Sequence, residues 1–177
     1  KAERHGYEAL EAEDVTLKIL PKEVIIQVKN AEKFFDEPDP KFEGTVSALV
    51  NQEDLGTVTY TRENTEEAVG IYNEVLTANY TSNGNYEVTI KKGDFEIKTA
   101  TLEGASLSAA GGSWTYDGKT HYANAELTNA DNYTIYYRVG DGEWTTEIPG
   151  VTNVSEGELT VSVKAARTGY VDLVTED

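Results

Sequence analysis

The chain has 177 residues, enough for one or two domains with real cores, and sets 32 acidic side chains against 15 basic ones for a formal charge of −17. That balance argues against nucleic acid and anionic lipid as partners, since both demand clustered Lys and Arg. Cys is absent, which excludes disulfides and thiolate metal sites, and Met is absent even at position 1, as expected of an internal segment of a protein exposed to oxidants. No signal peptide, membrane-spanning run or sorting motif stands in the sequence.

The first fourteen residues, Lys1–Asp14 (KAERHGYEALEAED), recur as Lys164–Asp177 (KAARTGYVDLVTED), with eight identities, no gap and an offset of 163 residues. The chain thus reads as a window on a tandem array, starting near the end of one unit and stopping at the equivalent point of the next. Gly6–Asp14 is the one stretch that passes for a short helix. Elsewhere the runs are short, rich in Val, Ile, Thr and Tyr, and broken by Gly, Asn and Asp, which predicts a mainly β protein. Strands are expected at Val15–Leu20, Val24–Lys29, Phe42–Leu49, Thr57–Arg62, Gly70–Leu76, Tyr86–Lys91 and Asp94–Ile97. Beyond Lys98 they are expected at Ser106–Ala109, Ser113–Tyr116, Ala125–Leu127, Tyr133–Val139, Glu143–Thr146 and Leu159–Ala165. Asp117-Gly118 and Gly140-Asp141-Gly142 read as hairpin turns. Pro21-Lys22 and the stretch Lys98–Gly112, poor in large apolar residues, mark links. They divide the chain into the end of a preceding repeat (1–20) and two β domains, 21–98 and 99–177.

Pro21-Lys22 with its Val/Ile-rich strand, the bend Phe35-Asp36-Glu37-Pro38-Asp39-Pro40, Ala48–Leu55, Gly56–Tyr60, Val69–Tyr72, Asn79-Tyr80, Asn85–Ile90 and Gly93–Ile97 follow one another in an ordered series of motifs. Through them segment Lys22–Ile97 resembles the MBG domain of bacterial surface proteins. Phe34-Phe35 departs from the Tyr-Gly usual in the family. The second half has its own landmarks, Tyr116–Lys119, Tyr136–Trp144, Pro149, Val163–Ala165 and Gly169-Tyr170. Through them it is similar to small Ig-like repeats of Gram-positive surface proteins. The two resemblances imply an MBG-like domain followed by an Ig-like sandwich, in an extended tandem array of a secreted or wall-attached protein. They also imply adhesion as a context, with host glycan or mucin as a partner class.

Catalysis has little to build on. A nucleophilic triad needs a His base, and the two histidines are His5 and His121, the first replaced by Thr168 in its twin. Acids are abundant, but short loops leave little from which to make a cleft around a catalytic pair. The chain is therefore expected to be no enzyme and to need no cofactor. Asp36, Glu37 and Asp39 are the candidate cation ligands, oxygen donors on a Pro-stiffened bend, although Asp and Pro are also what any turn selects. They lack the spacing of a dedicated Ca²⁺ loop. Trp114, Tyr116 and Tyr122 are the candidate sugar-stacking face, and Trp144 is expected to plug the core. An isopeptide link from Lys to Asn, known in such Ig domains, would supply the missing staple.

Two functions compete: a stalk or spacer made of modules touching their neighbours in the same chain, and an adhesin module binding host glycan or mucin through exposed aromatics. The repeat adds an expectation about the ends. Val15–Leu20 (VTLKIL) follows the first copy of the repeated segment, and nothing follows the second. The last domain should lack a strand, and Val15–Leu20 of one molecule should complete the sheet of another, head to tail. The alternative is that residues 1–20 pack against the first domain.

Overall fold

The structure, a computed structural model, describes residues 4–8, 12–47 and 49–175. Its regular elements are β-strands, joined by one 3₁₀ turn at Val154–Glu156. The first half contains β1 (Lys22–Val28), β2 (Ala31–Phe34), β3 (Gly44–Val46), β4 (Thr59–Arg62), β5 (Gly70–Asn79), β6 (Tyr86–Lys91) and β7 (Gly93–Lys98). They form a sheet in the order β3-β1-β6 and a second in the order β2-β7-β5-β4. Two pairings are parallel: β1 with β6 over Lys22–Gln27, and β2 with β7 over Ala31–Phe34.

Alternation decides which face is buried. In β1, Val24, Ile26 and Val28 point inward while Glu23, Ile25 and Gln27 face water. They meet Leu76 and Ala78 of β5, Tyr86 of β6, Phe95 and Ile97 of β7, and Leu55 from a loop, in one core. At roughly 1.5–3 kcal/mol for each large side chain removed from water, this cluster dominates the stability of the first half. A bulge between Tyr72 and Leu76 re-aims β5. Glu74 sits there at φ 53°, and its N–H donates to Asp94 Oδ1 at 2.8 Å.

The second half contains β8 (Ser106–Ala110), β9 (His121–Tyr122), β10 (Asn124–Thr128), β11 (Thr134–Val139), β12 (Gly150–Val151), β13 (Val161–Ala166) and β14 (Leu173–Val174). They make three small antiparallel sheets, β10-β8, β12-β9 and β11-β13-β14. The core here is smaller: Ala130, Tyr133 and Ala165 are buried, with Leu102, Leu107, Leu127, Ile135, Tyr170 and Leu173 half-covered around them.

Several sequence expectations need correction. Val15–Leu20 forms no strand; residues 12–20 pair with no other described residue, and an isolated strand has no ladder to hold it. Nor do residues 1–20 pack on the first domain where described: 4–8 and 12–20 are exposed throughout. Gly6–Asp14 shows no helix at residues 6–8 and 12–14, a turn forming instead at Gly6, while 9–11 lie outside the described residues. Ser113–Tyr116 is not a strand either. The Asp117-Gly118 turn leads into β9, which pairs with β12 across the chain rather than back onto 113–116. Glu143–Thr146 contributes a single bridge, Thr145 to Tyr137. Trp144 is not a core plug. It lies on the outer face of the β11–β13 pair, over the Arg138 guanidinium at 4.8 Å and the Lys164 ammonium at 5.2 Å.

The sequence repeat is also a structural one. Arg4–Tyr7 and Arg167–Tyr170 both fold as turns closed by a Tyr N–H donating to the Arg carbonyl at 3.0 Å. Both place their Gly at left-handed φ, 81° for Gly6 and 83° for Gly169, which explains why glycine stands in each. In both, the Arg guanidinium lies over the Tyr ring. The second copy is docked on the first half of the molecule. A Cβ on Gly169 would fall 2.4 Å from the Phe35 ring, Tyr170 meets Phe35 edge-on at 5.7 Å, and its hydroxyl donates to Asp36 at 2.9 Å. The backbone closes the joint: Ala100 N–H donates to Gly169 O and Val171 N–H to Ala100 O, both at 2.9 Å.

Candidate functional site

The second half holds a groove of about 850 Å³, bounded by residues from all three of its sheets and the loop 111–117. Trp114, Tyr116 and Tyr122 all line it, together with Asp117 and His121. The three aromatics named from sequence therefore share one surface, and they stay 49, 65 and 58 % exposed. Local structure explains their placement. Asp117 Oδ1 accepts the Lys119 N–H at 3.0 Å, forming an Asx turn, and lies 3.1 Å from His121 Nε2. The imidazole stacks on the Trp114 indole at 4.5 Å and 11°. The Lys119 N–H above all, then His121, holds the Asp117 carboxyl below the usual aspartate range.

The remaining wall carries an apolar strip among polar groups such as Asn124, Thr152, Asn153 and Glu158. Val151, Leu159 and Val161 are half-buried and Val163 is buried. The loop beside them is pinned by Glu156, whose carboxylate accepts the Thr152 N–H at 2.7 Å and the Asn153 side-chain amide at 3.0 Å. Those bonds keep Glu156 below the ordinary glutamate value. Sequence reasoning missed this apolar strip because its residues come from two separated segments, Val151 and Leu159–Val163. The Val and Leu of Leu159–Val163 were the available signal.

The cation candidates do not converge. Asp36 receives the Tyr170 hydroxyl and lies 3.8 Å from Arg167; Glu37 accepts the Phe34 N–H at 3.2 Å. Asp39 belongs to a network of four charges, 3.0 Å from Lys33 Nζ and 3.1 Å from Arg62 Nε, with Glu67 paired to the same two cations. Burial would lower the Lys33 ammonium, but hydrogen bonds to Glu67 and Asp39 outweigh it and hold it above 10.5. Among the described residues, no group of three or more His, Asp or Glu is arranged to hold a metal ion.

Fold and site together define a β protein with two separate cores, one closed, the other opened by an aromatic-lined groove. Residues 24–96 match the family model of the MBG domain (YGX type). No curated protein and no solved structure matches the chain.

Proposed function

We propose that this chain is a non-enzymatic stalk module of a bacterial surface or secreted repeat protein, alternating MBG-like and Ig-like units. The MBG match supports the surface-repeat context. The observation that carries the stalk reading is the joint: a turn built twice in the chain, whose second copy seats Gly169 and Tyr170 on Phe35 and Asp36. A stalk must transmit direction from unit to unit, and a keyed contact made by a repeated turn does that. Phe35 stands where the family usually has Gly, so the family's Tyr-Gly bend has here become a knob for the next unit. The acids with lowered pKa are held in hydrogen bonds and ion pairs, which gives no poised acid–base couple. Residual dipolar couplings test the reading: one alignment tensor should fit both halves of the intact chain and two should be needed for Gly169→Val. Two tensors for the unmodified protein would overturn it.

A second reading has its own observation, the convergence of Trp114, Tyr116 and Tyr122 on one groove. Exposed aromatic rings suit the apolar faces of sugars. A glycan array and mucin pull-down decide it: binding lost in Trp114→Ala supports adhesion, and none above an Ig-domain control removes it.

A further inference from the structure

In the first half, a loop and a turn are tied together at Asp54. The loop 50–56 carries Leu55, which is wholly buried in the core although it belongs to no strand. The turn 83–86, closed by the Tyr86 N–H donating to the Asn83 carbonyl at 3.0 Å, leads into β6. Asn83 Nδ2 donates to the Asp54 carbonyl at 3.2 Å, and beside it the Thr81 N–H donates to the Leu55 carbonyl at 2.8 Å. The Tyr86 hydroxyl adds a second tie: it donates to Asp54 Oδ2 and accepts the Val50 N–H at 3.0 Å. Leu55 keeps its seat through these bonds.

Asn83 is followed by Gly84, the one Asn-Gly pair in the chain. The fold does not call for glycine there. Gly84 does not take a positive φ, and a Cβ on it would meet nothing within 4 Å among the described residues. What glycine supplies is an unshielded backbone nitrogen next to a carboxamide, and such a pair can cyclise. The Gly84 nitrogen bonds to Asn83 Cγ, the Cγ–Nδ2 bond breaks, and ammonia leaves with the Gly84 amide proton. Water then opens the imide to aspartate or to isoaspartate. In the folded chain Cγ is held back from that approach, because Asn83 Oδ1 accepts the Asn85 N–H at 3.0 Å while Nδ2 is engaged with Asp54.

We propose that Asn83 is a site of spontaneous deamidation, shut while the loop 50–56 is seated and open when that loop lifts. The product cannot remake the tie. A carboxylate in place of the Asn83 amide has no proton to give the Asp54 carbonyl, so two acceptors face each other. The isoaspartate product also adds a methylene to the main chain of the turn, whose Asn85 carbonyl accepts the Lys22 N–H at 2.9 Å where the β1–β6 ladder begins. One opening caught by this chemistry therefore loosens the seat of Leu55 for good. The inference stands apart from both the stalk and the adhesion readings.

Peptide mapping by mass spectrometry, on the intact chain kept in mildly alkaline buffer, tests it. Unfolded in urea, the chain should convert Asn83 ahead of its other asparagines, and Gly84→Ala should slow that conversion. In the folded chain it should run about tenfold slower or more, since only the opened fraction reacts. Tyr86→Phe, which removes the second tie, should speed the folded reaction and leave the unfolded one unchanged. Asn83→Asp, the direct product, should speed hydrogen exchange at the Thr81 amide and leave β13 as it was. Equal rates in the folded and unfolded chains overturn the proposal. So does an unfolded chain in which Asn83 is spared, or an Asn83→Asp chain whose Thr81 amide exchanges no faster.

Discussion

The two halves of the molecule reach stability by different means. In the first, Phe95, Ile26, Leu55, Leu76, Ile97, Val24 and Val28 are all essentially removed from water, and two sheets close over them. In the second, the buried cluster is Ala130, Tyr133 and Ala165, two of them small, and β8 keeps Ala109 and Ala110 in solvent. Two stretches of similar length, with seven strands each, thus yield one closed core and one that is smaller and more open. The difference lies in strand count at the core: β1 and β7 are each flanked on both sides, whereas among the described residues β8 pairs only with β10, and β14 pairs with only Lys164 and Ala165 of β13.

The sharpest way to break the closed half is Phe95→Ala. Phe95 is fully buried, edge-on to Phe42 at 5.7 Å and under the Arg62 guanidinium at 4.8 Å. Its truncation should cost about 3–5 kcal/mol in urea unfolding followed by tyrosine fluorescence. Leu127→Ala in the open half, where the side chain is only half-buried, should cost about 1–2 kcal/mol.

Next comes the charge network, which the open half lacks. Lys33 and Arg62 are 5 and 8 % exposed, so Asp39→Asn should cost about 2 kcal/mol by leaving both short of a counter-charge. Its pH dependence has a definite sign. Hydrogen bonds from Lys33 and then Arg62 hold the Glu67 carboxyl below its usual 4.5. Its contribution is therefore complete above pH 4.5 and lost as pH falls below that value through the folded pKa. Calorimetry between pH 6 and 3 should show the first half's melting temperature falling in that window, and less steeply in Glu67→Gln.

Gly169→Ala tests the connection between the halves. It imposes a side chain at φ 83° and against Phe35, and should cost about 1–2 kcal/mol, spread over both halves by loss of the joint. The smallest expected effect is none at all: EDTA should leave every melting transition where it was. A fall of several degrees would return Asp36, Glu37 and Asp39 to the status of a cation site.

Legibility followed the same division. β6 was read from sequence with both its ends, because Tyr86–Lys91 alternates cleanly and is bounded by Asn83–Asn85 and by Lys92-Gly93. β2 was missed: Ala31–Phe34 starts two residues after β1 and carries Glu32 and Lys33, and nothing local says that Lys33 will be buried among acids. β14 was missed because two residues give no period. Ser113–Tyr116 has strand composition, but Trp114 folds back toward Gly112 and stacks on His121, a contact set by the Asp117 turn rather than by alternation. The three aromatics of the groove were legible by residue type. Its apolar strip was not, since Val151 and Leu159–Val163 are brought together only by the fold.

The parallel pairing of the first half has a mechanical consequence. A pull along an array would enter this half at Lys22, the start of β1, and leave at Lys98, the end of β7. β1 lies parallel to β6 and β2 parallel to β7, so the load runs lengthwise along both ladders. Hydrogen bonds loaded in shear share the force and must fail together, whereas a hairpin pulled open at its ends loses them singly. The second half has no parallel pair among its named strands, only short antiparallel ladders. Stretched end to end, the molecule should therefore yield first at the open half, at low force, while the MBG-like half holds as a clamp until a single, higher rupture.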